Sequence, residues 1–191
     1  MCKIKLSYER CEEIKQVVVD MFVKYHIRCV PISAFEIASK MGIKVIPYSA
    51  YQSNTRTLLL KKSNDGFTIE KEEGEWFIYY NDENEYGRQN NTIMHEIGHI
   101  LLEHTEDSEL AEKEVNFFAK YALVPPVLVH KFGITNWLEI VDFFDVSFEA
   151  AEYAFNYYLK WLKYGGPEYK KYELVTLELF QYTNSMGGDV I

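Results

Sequence analysis

A chain of 191 residues, 48% hydrophobic and 16% aromatic, carries enough apolar surface for a packed core, and that composition excludes a disordered protein. Its formal net charge of −9 leaves no surplus of Lys and Arg for neutralising phosphates, and the basic pairs Lys61-Lys62 and Lys170-Lys171 stand apart, so direct nucleic-acid binding is not expected. No apolar run approaches the roughly eighteen residues of a membrane span, and no basic segment leads into an apolar one at the N-terminus, so neither a membrane anchor nor a signal peptide is expected. Cys2, Cys11 and Cys29 fit no zinc module and leave one thiol over in any pairing, which predicts reduced thiols and a cytoplasmic setting.

In chain order, Cys11, Ile14, Val18, Met21, Phe22 and Tyr25 recur at helical spacing behind Ser7, a capping residue, and predict an amphipathic helix over 7–25. A short helix follows, beginning near Pro31 with Ser33 as its cap and ending at Gly42. Residues 43–46 predict a strand, stopped by Pro47. After a turn-prone segment over 48–56, residues 57–61, 67–71 and 75–80 predict an antiparallel meander, joined by Ser63-Asn64-Asp65-Gly66 and Glu72-Glu73-Gly74. Its last strand, Trp76-Phe77-Ile78-Tyr79-Tyr80, is apolar on both faces and belongs inside the sheet or against a helix. An acidic loop over 81–86 leads to a helix expected to run from about residue 88 to 104. Another starts after Ser108 and stops at Pro125-Pro126. Beyond Gly133 the pattern is helical again, with breaks at Asp145-Val146-Ser147 and Gly165-Gly166-Pro167, a last helix over 169–182 and a polar tail expected to fray. There is no internal repeat.

The chemistry-bearing stretch is His95-Glu96-Ile97-Gly98-His99. Two histidines four residues apart on a helix differ by only about 40° around its axis, so both imidazoles can reach one metal ion. Glu96 lies between them, where a carboxylate can take a proton from water activated by that ion. A catalytic zinc site needs a third protein ligand, and Glu103, His104, Glu106, Glu109, Glu112 and Glu114 follow closely. On a continuing helix His104 would sit about 140° from His99 and point away. Glu103 is placed as a neighbour of the site. On the next helix Leu110, Ala111, Phe117, Phe118, Tyr121 and Ala122 form an apolar stripe with Glu114 in it, while Glu109, Glu112, Asn116 and Lys120 fall on the solvated side. A carboxylate on a buried stripe requires a partner, and metal ligation supplies one, so Glu114 is the expected third ligand.

Arg88-Gln89-Asn90-Asn91-Thr92-Ile93-Met94-His95-Glu96-Ile97-Gly98-His99, then Glu114-Val115-Asn116-Phe117-Phe118-Ala119 and Leu123-Val124-Pro125, resembles the ImmA/IrrE family of zinc metallo-endopeptidases. Asn91 stands where that pattern usually has an aromatic residue, and Val115 where it has Ala. The likeness extends to Gly42-Ile43-Lys44-Val45 and Phe144-Asp145-Val146-Ser147. The resemblance implies His95, His99 and Glu114 as metal ligands and Glu96 as catalytic base, with Zn2+ as cofactor and Mn2+ a less favoured choice. It also implies an α+β, zincin-like fold: a small antiparallel or mixed sheet packed on the His95–His99 helix and the Glu114 helix, with a helical C-terminal part. Residues 1–133 would form the metallopeptidase core and 134–191 an extension on the same domain. Tyr121, His130, Tyr86 and Arg88 are candidates for substrate or transition-state contacts, although Arg88 can equally pair with the acidic loop before it.

The implied activity is site-specific hydrolysis of a peptide bond in a protein regulator, a helix-turn-helix transcriptional repressor of a mobile element or stress regulon. The rivals are a non-catalytic metal-containing module that sequesters a regulator and a hydrolase of small amides. Nothing in the sequence specifies the oligomeric state.

Overall fold

The computed structural model describes residues 5–106, 108–165 and 168–181, so Cys2, the break at Gly166-Pro167, the expected helix end at Tyr182 and the tail expected after it lie outside the described residues. By its contacts the chain divides into two compact units, one built on Ser33–Ala119 and the other on Ser7–Ile32 with the chain from Lys120 onward.

Helix α1 (Tyr8–Lys24) belongs to the second unit. The Ser7 side chain caps it by accepting from Arg10 N, and Ile14, Val18 and Phe22 are fully buried.

The first unit follows. Helix α2 (Ala34–Met41) has Ser33 as its cap and ends at Gly42, whose φ of 78° is the left-handed value that suits glycine. Strand β1 (Lys44–Pro47) leads through a single turn at Tyr48–Ala50 into helix α3 (Ser53–Lys62), and then come strands β2 (Gly66–Glu70) and β3 (Trp76–Tyr80). The strand expected over 57–61 is therefore helical. Arg, Leu and Lys dominate the segment and favour helix, and Thr57 donates its hydroxyl back to the carbonyl of Ser53 at 2.9 Å. Leu59 and Leu60 pack on Tyr48, Phe77 and Tyr79.

The sheet is mixed, in the order β1-β3-β2. β1 runs parallel to β3, with Val45 opposite Ile78, and β2 runs antiparallel, with Thr68 opposite Ile78. As expected for a strand apolar on both faces, β3 is the central one. Alternation puts Phe77 and Tyr79 on the Tyr48 side and turns Ile78 and Thr68 to the other face. Helix α4 (Tyr86–Leu101) lies against β2 and β3 and buries Ile93, Met94 and Ile97. The side-chain oxygen of Asn90 accepts from Ala34 N at 2.7 Å, which ties α4 to α2. In helix α5 (Glu109–Leu123), Val115 and Phe118 approach Gly98 so closely that a Cβ there would lie 3.0 Å from the Phe118 ring. A glycine at that position lets the two helices meet.

The rest of the second unit is helical: α6 (Pro126–Lys131), α7 (Trp137–Phe144), α8 (Phe148–Tyr164) and α9 (Lys171–Leu179). Asn136 caps α7 and Ser147 caps α8, with Asp145 at φ 51° between them, as the break in the sequence predicts. Helix α8 packs on α6 and α7, and α1 on α9, where Phe22 meets Phe180 edge-on at 5.7 Å. Cys11 and Cys29 are free thiols. Among the described residues no helix is long and apolar enough to cross a membrane.

Candidate metal centre

The last two turns of α4 carry His95 and His99 on one face, their Nε2 atoms 3.3 Å apart. The carboxylate facing both is that of Glu112, with Oε2 3.5 Å from His95 Nε2 and Oε1 3.3 Å from His99 Nε2. Each of the three offers one donor atom within 4.8 Å of the others. Donors bound at about 2.05 Å around a tetrahedral zinc ion lie about 3.3 Å from one another. The separations, taken to the nearer carboxylate oxygen for each histidine, lie close to that spacing, and imidazole nitrogens with a carboxylate oxygen are the donor types such an ion takes. Burial holds the His95 imidazole below its ordinary pKa, the proximity of His99 acts in the same direction, and Glu112 and Asn116 oppose it. The neutral ring has the lone pair that ligation needs.

Glu114, the expected third ligand, is not part of this group. It is buried, as its place on the apolar stripe predicts, but its Oε2 lies 2.9 Å from His104 Nε2. In this structure a neighbouring imidazole accommodates the buried carboxylate. Glu112, expected to be merely solvated, keeps a half-exposed side chain at the rim. An open catalytic site does not require its ligands to be buried.

His104 is also placed differently from the expectation. Helix α4 stops at Leu101, and Glu103 takes a left-handed φ of 56°. His104 N donates to the carbonyl of His99 at 3.1 Å, so the chain doubles back and sets His104 Nδ1 3.3 Å from His99 Nδ1. The 140° displacement holds only for an unbroken helix.

Glu96 points to the sheet side of α4, where the hydroxyl of Thr68 on β2 donates to its Oε2 at 2.7 Å. This carboxylate is thus oriented by the strand edge. A cavity of about 690 Å³ opens here, lined among others by Thr68, His95, Glu96, His99, Glu112 and Asn116. Its wall is tight at Gly66, where a Cβ would lie 2.6 Å from Thr92 Cγ2 and 2.7 Å from the carbonyl of Tyr79.

The sequence pattern of the IrrE N-terminal-like domain, Peptidase_M78, matches residues 38–156. The chain belongs to that family. No curated protein and no solved structure matches it. Membership in Peptidase_M78 makes the protein a metallopeptidase of the IrrE/ImmA type, and the His95, His99 and Glu112 group is a donor set able to hold its metal.

Thr68, His104, Glu112 and Asn116 join the site although sequence reasoning did not select them. Asn116 had a signal, standing four residues after Glu112 and therefore on the same face of α5. Its amide donates to the Glu112 carbonyl at 2.6 Å, and a side-chain hydrogen bond joins it to His95. The secondary candidates make contacts within their own units. Arg88 forms a two-pronged ion pair with Asp65, at 2.6 and 3.1 Å, rather than with the preceding loop. Tyr86 stacks on Phe35. In the second unit, Tyr121 is buried beside the Lys15 ammonium, and burial drives its hydroxyl pKa far up. His130 Nδ1 lies 3.1 Å from the Tyr158 hydroxyl, with Trp161 and Tyr169 around the ring.

Proposed function

We propose that this protein is a zinc-dependent, site-specific endopeptidase, with His95, His99 and Glu112 as metal ligands and Glu96 as general base. The reading is carried by the convergence of the two imidazole nitrogens and the Glu112 carboxylate beside a second carboxylate already held by Thr68. A zinc ion bound there supplies a Lewis acid that polarises a carbonyl and lowers the pKa of a water molecule. Glu96 takes the proton released as water adds to the peptide carbonyl and passes it to the departing amine. Thr68 keeps the carboxylate aimed through both transfers.

A polypeptide substrate is supported by β2. Among the described residues it pairs only with β3, and Gly66, Phe67 and Thr68 line the cavity, so its free edge offers main-chain hydrogen bonds to an extended chain. The substrate class we propose is a helix-turn-helix repressor, a basic partner toward which the net charge of −9 provides electrostatic attraction.

The test is to measure metal in the purified chain and to incubate it with the repressor encoded beside its gene, weighing the products. One zinc per chain and two fragments from a single cut are expected. Absence of metal, together with no cleavage after zinc addition, overturns the reading. Glu96→Gln separates it from sequestration, because a binder would keep its biological output in that variant.

A further inference from the structure

We infer that Glu114 and His104 form a positioning relay that fixes the tautomer of His99 and so directs the His99 Nε2 lone pair at the metal position. The inference rests on reading His95, His99 and Glu112 as the ligand set.

The order of donors follows from the chemistry of each group. The Glu114 carboxylate is an acceptor, so the contact of 2.9 Å places a proton on His104 Nε2. A neutral His104 protonated there presents a lone pair at Nδ1. The facing atom, 3.3 Å away, is His99 Nδ1, which must then carry its own proton and donate it. Neutral His99 protonated at Nδ1 is left with a lone pair at Nε2, the atom that faces His95 and Glu112. The opposite tautomer would put an N–H where the ligand electrons are required. Partners one shell out from a metal commonly set the tautomer and basicity of a ligating imidazole. Here a second imidazole stands between carboxylate and ligand.

The geometry depends on two features already described. Glu114 is buried, which keeps water from competing for the His104 proton, and the reversal at Glu103 delivers His104 to the back of the His99 ring. His95 is braced separately by Asn116, so the relay acts on one ligand alone.

The experiment uses the full chain with ring-15N-labelled histidine, stripped of metal, in long-range proton–nitrogen correlation spectra. His99 is expected protonated at Nδ1 and His104 at Nε2. In His104→Phe, His99 should shift toward the Nε2-protonated form, and zinc affinity by chelator competition should fall roughly 10–100-fold, the usual loss for an outer partner. His104→Asn keeps an oxygen close to the position of Nδ1 and should retain the His99 tautomer and affinity within about threefold of the parent chain, a rescue that a purely packing role would not produce. Unchanged tautomer and affinity in His104→Phe overturn the relay. If that variant does not fold, Nε2-protonated His99 in the parent chain overturns it, and Nδ1-protonated His99 there supports it. A parent chain that takes up no zinc defeats the ligand assignment instead, while the metal-free spectra still decide the relay.

Discussion

The two units differ in the polar clusters they build. In the second, carboxylates meet complements: Glu173 accepts from Trp161 Nε1 at 2.6 Å and from Lys170 N at 2.8 Å, and Glu12 accepts from Lys15, Lys170 and Tyr172. In the first, groups of like character converge, with two imidazole nitrogens 3.3 Å apart and a carboxylate across from both at the edge of a cavity. Complementary pairing stabilises a fold, whereas convergence of lone pairs needs a cation to complete it. Burial does not mark the difference, because Glu173 and Glu114 are both buried helix carboxylates with complements, whereas Glu112, in the convergent group, is half-exposed.

Substitutions can break this contrast in order of effect. Glu96→Gln should lower cleavage by about 10²–10⁴-fold, the range for a lost general base, with zinc content and melting temperature unchanged, as read from initial rates and calorimetry. Glu112→Gln should weaken zinc binding by more than the roughly 100-fold upper value for outer partners, measured by chelator competition. Zinc retained with parental affinity in that variant would return the third-ligand role to another carboxylate. In the second unit, Glu173→Ala leaves the Trp161 N–H and a helix terminus without their acceptor and should cost about 1–3 kcal/mol in urea unfolding, with zinc affinity unaltered.

A smaller effect concerns pH. Burial pushes the Glu12 carboxyl up, but hydrogen bonds from Lys15, Lys170 and Tyr172 outweigh it and hold the pKa below its ordinary value near 4.5. A carboxyl lowered in the folded state contributes stability that is present above the unfolded pKa and is lost as pH falls through the folded one. Glu12→Gln should therefore flatten the acid side of the stability curve below about pH 4.5. The smallest change is Glu103→Gly, which should stabilise the chain by about 1 kcal/mol, because glycine adopts a left-handed conformation without steric cost.

What the sequence reveals here is local. The caps at Ser7, Ser33 and Ser147, the stop at Gly42 and the central position of β3 follow from residue chemistry and appear where expected. Residues 57–61 misled because a short apolar run suits either period, and helix propensity decided it. The histidine pair was legible because its spacing lies within one helix. Glu112 and Thr68 come from a separate helix and strand, and the first was passed over because the helical wheel ranks burial rather than aim.

Glu103 gives position 103 a handedness of its own. His104 stands five positions after His99, yet no helical phase relates them, because a single left-handed residue reverses the chain between them. The natural occupant of such a backbone is achiral or mirror-image. A D-amino acid placed there by chemical ligation would hold the reversal without the strain an L-residue carries, and His104 would keep its place behind His99. The stereochemistry of one exposed residue thus governs how this ring of donors is closed.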